Sequence, residues 1–204
     1  HKDNLLPKLM FTGLVEEVGI ITNHIKTKDG VEIEINAAII MEDLKVNDSI
    51  SCSGICLTVT SMNDSNFKVQ IVEETLSRTT ARTWQVGTKI NLERSLLPSS
   101  RMGGHFVQGH VDRVIKLIKI IPGQDSAVWH FSQTSNIDKY IVEKGSICLD
   151  GISLTIALKE EEYFSVALIP HTLSVTTWKQ KEVGDLINVE VDIMAKYMES
   201  LLGV

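Results

Sequence analysis

Two histidines follow glycines in the middle of the chain, within the segment RMGGHFVQGHVD at 101–112. Glycine lets a backbone approach a ligand closely, and imidazole is the side chain that exchanges a proton near neutral pH. For His105 we expect a structural role, with the ring bonded to a backbone carbonyl. For His110 we expect a role in a ligand pocket, because the matching position earlier in the chain is the apolar Leu14.

A second chemical signal is the motif Gly-Ile-X-Leu-Thr, which occurs at 54–58 and again at 151–155. Strand alternation puts the third and fifth residues of the motif on one face. These are Cys56 and Thr58 in the first copy, and Ser153 and Thr155 in the second. A threonine in a single strand is usually just a good strand former. Because the motif occurs twice in register, we predict that these side chains point inward as polar walls of two equivalent pockets.

The two motifs belong to a repeat that covers most of the chain. At an offset of 97 residues, 18 of the 45 positions from Ser49 to Glu93 are identical, and an offset of 96 places 13–15 on 109–111. This period is longer than the roughly 20–50 residues of solenoid repeats and equals the length of a small domain. The sequence therefore predicts two similar domains, at 10–100 and 101–193, with two similar pockets.

The copies differ at positions where two pockets with different roles would differ. Any one difference is explained by neutral drift, but together they indicate that a nearly symmetric site has become unequal. The pairs are Leu14 with His110, Cys56 with Ser153, Glu74 with His171, and Asn47 with Lys144.

Apolar residues alternate with polar ones in many short segments, which are separated by turn sequences. Clear examples lie at 31–37, 67–71 and 187–191. Short strands at near-regular spacing are typical of a barrel or sandwich. We predict a mainly β fold of two tandem, pseudo-symmetric Greek-key antiparallel barrels, each of six or seven strands.

Short helices are expected at 74–77, at 171–174 and across 135–143, where Ser135 or Asn136 could cap the first turn. The end of the chain, 194–204, has no counterpart in the first half and carries an apolar stripe at helical spacing: Met194, Met198, Leu201 and Leu202. We expect an amphipathic helix that packs on a neighbouring subunit. The alternative is that this helix folds back onto its own barrel.

Composition excludes several function classes. The net charge of −6 and pI near 5.5 argue against nucleic acid or an anionic membrane as a partner. No apolar run is long enough to span a bilayer, and residues 1–9 resemble a tag or leader remnant. The three cysteines (Cys52, Cys56 and Cys148) lack disulfide or metal-ligand spacing, so we expect reduced thiols and no metal.

These motifs resemble riboflavin synthase, the alpha-type family that dismutates lumazine. The resemblance covers Met10 to about Leu202. It is carried by MFTGLVE at 10–16, CLTVT at 56–60, ETL at 74–76, NLER at 91–94, GGH at 103–105, GH at 109–110, DGISLT at 150–155 and LIPHTL at 168–173. His171 departs from the acidic residue that is frequent in the family.

The resemblance implies a cytoplasmic homotrimer of two-barrel chains with a C-terminal helix, which could also associate with lumazine synthase. The implied reaction transfers a four-carbon unit between two molecules of 6,7-dimethyl-8-ribityllumazine, without an added cofactor or metal. It gives riboflavin and a ribitylaminopyrimidine. The implied site lies between the N-terminal barrel of one subunit and the C-terminal barrel of a neighbour.

The resemblance also implies the residues of the site. The candidates for proton transfer and nucleophilic addition are His110, Ser49, Cys56, Ser153, Thr155 and Asp192. The walls of the N-terminal pocket would be Gly13, Leu14, Val15, Cys56, Leu57, Thr58, Gln70, Ile71, Val72, Glu73, Glu74, Thr75, Gly109, His110 and Val111. The walls of the C-terminal pocket would be Lys144, Ser153, Leu154, Thr155, Ile169, Pro170, His171, Thr172, Leu173 and Ser174.

Three other functions are compatible with parts of this sequence. One is a non-catalytic antenna protein of the same fold that holds lumazine or flavin, but such proteins lack the two Gly-His pairs. Another is a flavin-binding barrel of an oxidoreductase, which would need a nucleotide-binding domain with a glycine-rich turn. The last is a purely structural tandem barrel, which the polar wall positions argue against.

Overall fold

The computed structural model describes residues 10–133 and 136–203. The expected tag or leader remnant at 1–9 and the expected cap Ser135 lie outside the described residues. The domain limits 10–100, 101–193 and 194–204 stay predictions, although the segments 10–100 and 101–193 each contain one complete barrel.

Six antiparallel strands close the first barrel in the order β1-β2-β5-β4-β3-β6. Strands that are consecutive in sequence are not always neighbours, and crossover connections of this kind are those of a Greek key. The strands are β1 (Glu17–Thr27), β2 (Gly30–Asn36), β3 (Ser49–Cys52), β4 (Ile55–Met62), β5 (Asn66–Val72) and β6 (Lys89–Arg94).

The second barrel repeats this topology, with the closed order β7-β8-β11-β10-β9-β12. Even the irregularities recur: the bulge between Val59 and Ser61 returns between Ile156 and Leu158. Bulges bend and twist a strand, which helps a sheet of few strands to close. The strands are β7 (Arg113–Pro122), β8 (Ala127–Ser132), β9 (Ser146–Leu149), β10 (Ile152–Lys159), β11 (Tyr163–Leu168) and β12 (Leu186–Val191).

Apolar side chains fill each barrel from the inside. In β2 and β5 the apolar residues of the alternating segments, including Ile33 and Phe67, are buried in the first core. In the second core Trp129 and Trp178 stack at 5.0 Å between ring centroids. Because six strands enclose only enough space for their own side chains, the barrel interiors leave no room for a ligand.

The short helices lie between strands, as expected. The α-helices are α1 (Glu73–Arg78), α2 (Pro170–Val175) and α3 (Ile193–Leu202), and the 3-10 helices are Ile40–Glu42, Thr80–Thr83, Asp138–Tyr140 and Thr177–Gln180. The helix expected across 135–143 is therefore wrong in extent, since it is a single 3-10 turn that begins after Ile137. A segment this short gains too few hydrogen bonds to extend a helix, and Ile137 and Ile141 are held in the second core instead.

The two segments that lead into the barrels pair with each other at two fully buried residues. Phe11 and Val107 form an isolated antiparallel bridge, with amide-to-carbonyl distances of 2.7 and 3.1 Å. Beyond this bridge each segment continues onto the opposite barrel. The leading segments therefore join the two barrels as well as preceding them.

The barrels are also fastened directly by a symmetric pair of asparagines. The side-chain amide of Asn91 donates to the backbone carbonyl of Asp150 at 2.9 Å. The side-chain amide of Asn188 donates to the backbone carbonyl of Ser53 at 2.9 Å. Asn188, a polar residue of the alternating segment in β12, is consequently buried. That strand has one face in its barrel core and the other against the partner barrel.

Helix α3 lies on the surface, with none of its residues buried. Polar contacts tether it to the second half of the chain: Lys196 pairs with Asp112, and Glu199 bonds to Lys139 and Tyr140. The apolar stripe is left exposed, and Leu201 has 87% of its surface accessible. Within the described ranges, no helix has the length and apolar character needed to cross a membrane.

Candidate functional site

The polar residues of the repeated motif lie on the outer face of each barrel, so the prediction that they point inward is wrong. Leu57 fills the first core, whereas Cys56 is half-buried and Thr58 is exposed. The same holds in the second barrel for Ser153 and Thr155. The alternation was read correctly, but the apolar face had to fill the barrel, which left the polar face outside.

The first half-site consists of the outer face of β4 and β5, the start of α1 and the loop 108–112. The loop is bound to the strand, because the Cys56 amide donates to the Gly109 carbonyl at 2.8 Å. Gly109 has a φ of 78°, and a Cβ there would lie 2.6 Å from that of Cys56. Only glycine allows this approach, and it places the exposed His110 at the edge of the half-site.

The second half-site is the equivalent surface of β10 and β11, with the start of α2 and the loop 13–15. The Ser153 amide donates to the Gly13 carbonyl at 2.7 Å, and Val15 packs against the second core. The assignment of Gly13, Leu14 and Val15 to the N-terminal pocket is therefore wrong. They line the C-terminal pocket, because beyond the Phe11–Val107 bridge each leading segment contacts the barrel that it does not lead into.

The proposed catalytic residues divide evenly between these half-sites. Ser49 is paired with Thr58 across β3 and β4 and lies with Cys56 and His110 in the first half-site. Ser153, Thr155 and Asp192 belong to the second. The amide of the exposed Lys144 donates to the Ile156 carbonyl at 2.8 Å, which places Lys144 beside Thr155.

Cys56 lies close to the Ser49 hydroxyl. Burial raises the pKa of the Cys56 thiol above its ordinary value, while a hydrogen bond from Ser49 lowers it and the nearby Glu190 raises it. The net shift is upward, so the thiol is protonated at neutral pH. Cys56 is thus suited to contact a ligand or donate a proton rather than to act as a standing thiolate.

His105 lies beside Ser153 in the second half-site, and its hydrogen-bond partner differs from the one expected. Its Nδ1 shares a 2.7 Å hydrogen bond with the Ser153 hydroxyl, not with a backbone carbonyl. Its Nε2 is buried and has no hydrogen-bond partner among the described residues. Burial lowers the pKa of His105 and the Asp192 carboxylate raises it, with a net lowering. A neutral imidazole bonded to a hydroxyl can accept the hydroxyl proton.

The remaining predicted wall residues are partly on the surface and partly in the cores. Gln70, Val72, Glu73, Glu74, Ile169, Pro170, His171 and Ser174 are exposed, and Thr75, Val111 and Thr172 are half-buried. Leu57 and Ile71 lie within the first core, and Leu154 and Leu173 pack against the second. The side chains of these four residues pack in or against the cores beneath the walls and do not form the wall surfaces.

Two buried glutamates hold the loops of the half-sites, and neither is among the predicted site residues. Glu93 accepts the Thr12 amide at 2.6 Å and the Gly13 amide at 2.9 Å. Glu190 accepts the His110 amide at 2.8 Å. Burial is the largest cause that raises the pKa of each carboxyl to about 7. A signal was present, since both occur in an Asn-X-Glu sequence that recurs at the 97-residue offset.

A family model described as the lumazine binding domain matches the chain twice, at residues 12–95 and 108–192. The chain is 44% identical to the riboflavin synthase of Schizosaccharomyces pombe, over 95% of this chain and 94% of that protein. It is 39% identical to that of Actinobacillus pleuropneumoniae, over 95% and 90% respectively.

Solved structures of LumP share the fold. The complex of LumP with 6,7-dimethyl-8-(1'-D-ribityl) lumazine superposes with a TM-score of 0.81 at 23% identity, and the complex with riboflavin does so with a TM-score of 0.81 at 25% identity. Each comparison covers 89% of this chain and 99% of the LumP chain. The chain contains two lumazine binding domains and matches riboflavin synthases over nearly its full length. It therefore belongs to the riboflavin synthase family.

Proposed function

We propose that the protein is a riboflavin synthase. It converts two molecules of 6,7-dimethyl-8-ribityllumazine into riboflavin and 5-amino-6-ribitylamino-pyrimidinedione by transfer of a four-carbon unit. The observation that carries this proposal is the pair of equivalent half-sites, since a reaction between two identical molecules needs two similar binding surfaces. Their unequal polar groups suit one molecule that donates the unit and one that accepts it.

The reaction needs a base for the acidic 7-methyl group, a nucleophile that adds at C7 of the partner molecule, and proton donors for ring opening. In the first half-site Ser49, Cys56 and His110 are placed to share these tasks. In the second half-site the residues placed for these tasks are Ser153, Thr155, Asp192 and also His105. The neutral His105 imidazole supports proton removal from Ser153, while the protonated Cys56 thiol supports proton donation.

The two half-sites of different subunits would form the complete site. Each is an open surface with exposed apolar residues at its rim: Val72 and Ile169 are both 56% exposed. An open surface leaves two reacting rings in water, whereas one half-site placed over another excludes water and fixes the rings face to face. We propose a homotrimer held by the apolar stripe of α3, as the family resemblance implies.

The test mixes the purified protein with 6,7-dimethyl-8-ribityllumazine in the presence of a chelator and without cofactor. Absorbance follows both lumazine and riboflavin. Two lumazines consumed per riboflavin formed are expected. A requirement for added metal would contradict the metal-free reaction that the family resemblance implies.

The alternative is an antenna protein, which holds the ligand without converting it. The identity of 39–44% to riboflavin synthases, against 23–25% to LumP, favours the enzyme. Tight lumazine binding without riboflavin formation would instead assign the chain to the antenna class.

A further inference from the structure

The loop of the first half-site is held by a carboxylate that belongs to the second barrel. Glu190 of β12 is 3% exposed, and its two oxygens accept the amides of Gln108 at 2.6 Å and His110 at 2.8 Å. Two backbone donors on either side of Gly109 thus depend on one side chain of the second barrel.

Glu93 of β6 is the counterpart in the first barrel. It accepts the Thr12 amide and hydroxyl on one oxygen, at 2.6 and 2.7 Å, and the Gly13 amide on the other. This loop carries Gly13 and Leu14 onto Ser153 of the second barrel. The arrangement is therefore reciprocal, and the two glutamates occupy equivalent positions in the repeat.

We infer that Glu190 is the positioning residue of the first half-site and Glu93 that of the second, so that each barrel sets the binding loop of the other. The inference rests on the proposed function for its catalytic consequence only. The positioning itself concerns the loops and can be measured without substrate.

The ionised carboxylate that prevails above pH 7 is suited to this role, and an amide is not. Buried backbone donors need acceptors, and a carboxylate offers two oxygens with no donor. In Glu190→Gln one oxygen is replaced by an NH2 group, which would face the amide of Gln108 or His110, donor against donor. The substitution keeps the shape of the side chain and removes one of the two hydrogen bonds that fix the loop.

The cysteines of the chain provide a reporter for the first loop. Gly109 covers Cys56, which is half-buried, whereas Cys52 and Cys148 are fully buried. In Glu190→Gln we expect alkylation of Cys56 by iodoacetamide to accelerate roughly tenfold, which corresponds to about 1.4 kcal/mol. Cys52 and Cys148 should stay unmodified, as peptide mass mapping would record. Glu93→Gln is the matched control and should leave the Cys56 rate unchanged.

The repeat supplies the reverse experiment. The double variant Cys56→Ser, Ser153→Cys transfers the half-buried thiol from the first half-site to the second, beneath the loop of Gly13. In that background Glu93→Gln should accelerate alkylation at position 153, and Glu190→Gln should not. General destabilisation would raise the rate at both positions with either substitution, so this crossed pattern separates positioning from a merely structural role.

Equal rates with and without Glu190→Gln, or equal increases from both substitutions, would overturn the inference. If Glu190→Gln exposes Cys52 through unfolding, Glu190→Asp replaces it, because it keeps the charge and shortens the reach. A Cys56 rate in Glu190→Asp equal to that of the parent would also overturn the inference.

The catalytic consequence is measured separately, by fluorescence titration with 6,7-dimethyl-8-ribityllumazine. Each single variant should weaken lumazine binding at one of the two half-sites by about tenfold and leave binding at the other unchanged. Riboflavin formation should fall in both variants. A parent protein that binds no lumazine would refute the proposed function, but the alkylation pattern would still decide whether the glutamates position the loops.

Discussion

The carbonyl of Gly13, which precedes the first barrel, accepts a 2.7 Å hydrogen bond from the amide of Ser153, which lies in the second barrel. The same relationship holds between Gly109 and Cys56 in the other direction. Each half-site is thus made of a strand from one barrel and a loop that the other barrel holds. The two barrels therefore depend on each other for their binding surfaces.

Glycine at these two positions should be essential for the half-sites. Gly13→Ala and Gly109→Ala would each place a Cβ 2.6 Å from the Cβ of Ser153 or Cys56, at a positive φ. We expect each variant to lose on the order of 2–4 kcal/mol of unfolding free energy, measured by urea denaturation. Gly87→Ala is the control: its φ is 90°, but no atom lies within 4 Å of the added Cβ, so about 1 kcal/mol is expected. Equal losses at all three positions would show that close packing does not matter.

His105 should contribute to turnover through Ser153. His105→Asn keeps a polar group beside Ser153 but removes the imidazole as a proton acceptor, so riboflavin formation should fall about a hundredfold, within the range for general acid–base catalysis. The melting temperature and lumazine affinity should change little. His24→Asn in β1, outside both half-sites, serves as the control. An unchanged kcat in His105→Asn would restrict His105 to a structural role.

The buried glutamates should make folding more favourable at low pH. The pKa of Glu93 and of Glu190 is raised from 4.5 to about 7 in the folded protein. Their contribution is therefore full below pH 4.5 and is lost as pH rises to about 7. The loss is on the order of 3 kcal/mol per carboxyl.

Urea denaturation of the parent and of Glu93→Gln/Glu190→Gln between pH 5 and 8 would measure this effect. The neighbouring groups Glu16, Asp112 and Cys148 are the same in both proteins, so the difference between them isolates the two glutamates. A difference that does not change with pH would contradict the expected titration.

Helix α3 should hold the oligomer together. Leu201→Glu combined with Leu202→Glu places two charges on its exposed apolar stripe and should convert the proposed trimer into monomers, with loss of riboflavin formation. Light scattering at several protein concentrations measures the mass. Ser200→Glu adds a charge at a polar, exposed position of the same helix and should leave the trimer intact. A monomeric parent protein would contradict the site between subunits.

Much of the fold could be predicted from the sequence, because its signals are local. Alternation over 31–37 and 67–71 marked β2 and β5, and the 97-residue repeat marked two barrels of the same topology. The motifs also singled out Cys56, Ser153 and His110, which the structure places in the two candidate half-sites. These properties depend on strand periodicity and repeated residue types, which a single sequence contains.

The sequence by itself determined two faces for every strand, whereas only the tertiary structure decided what each face meets. Cys56 and Thr58 lie outside the barrel because the closed sheet has space only for Leu57 and its apolar neighbours. Asn188 and Glu190 have the pattern of a wet face, yet Asn188 is buried against the other barrel and Glu190 against the loop 108–110. Gly13 and His105 both bond to Ser153. They do so only because the first leading segment contacts the second barrel. Such contacts join residues distant in the chain, and no local pattern encodes their partners.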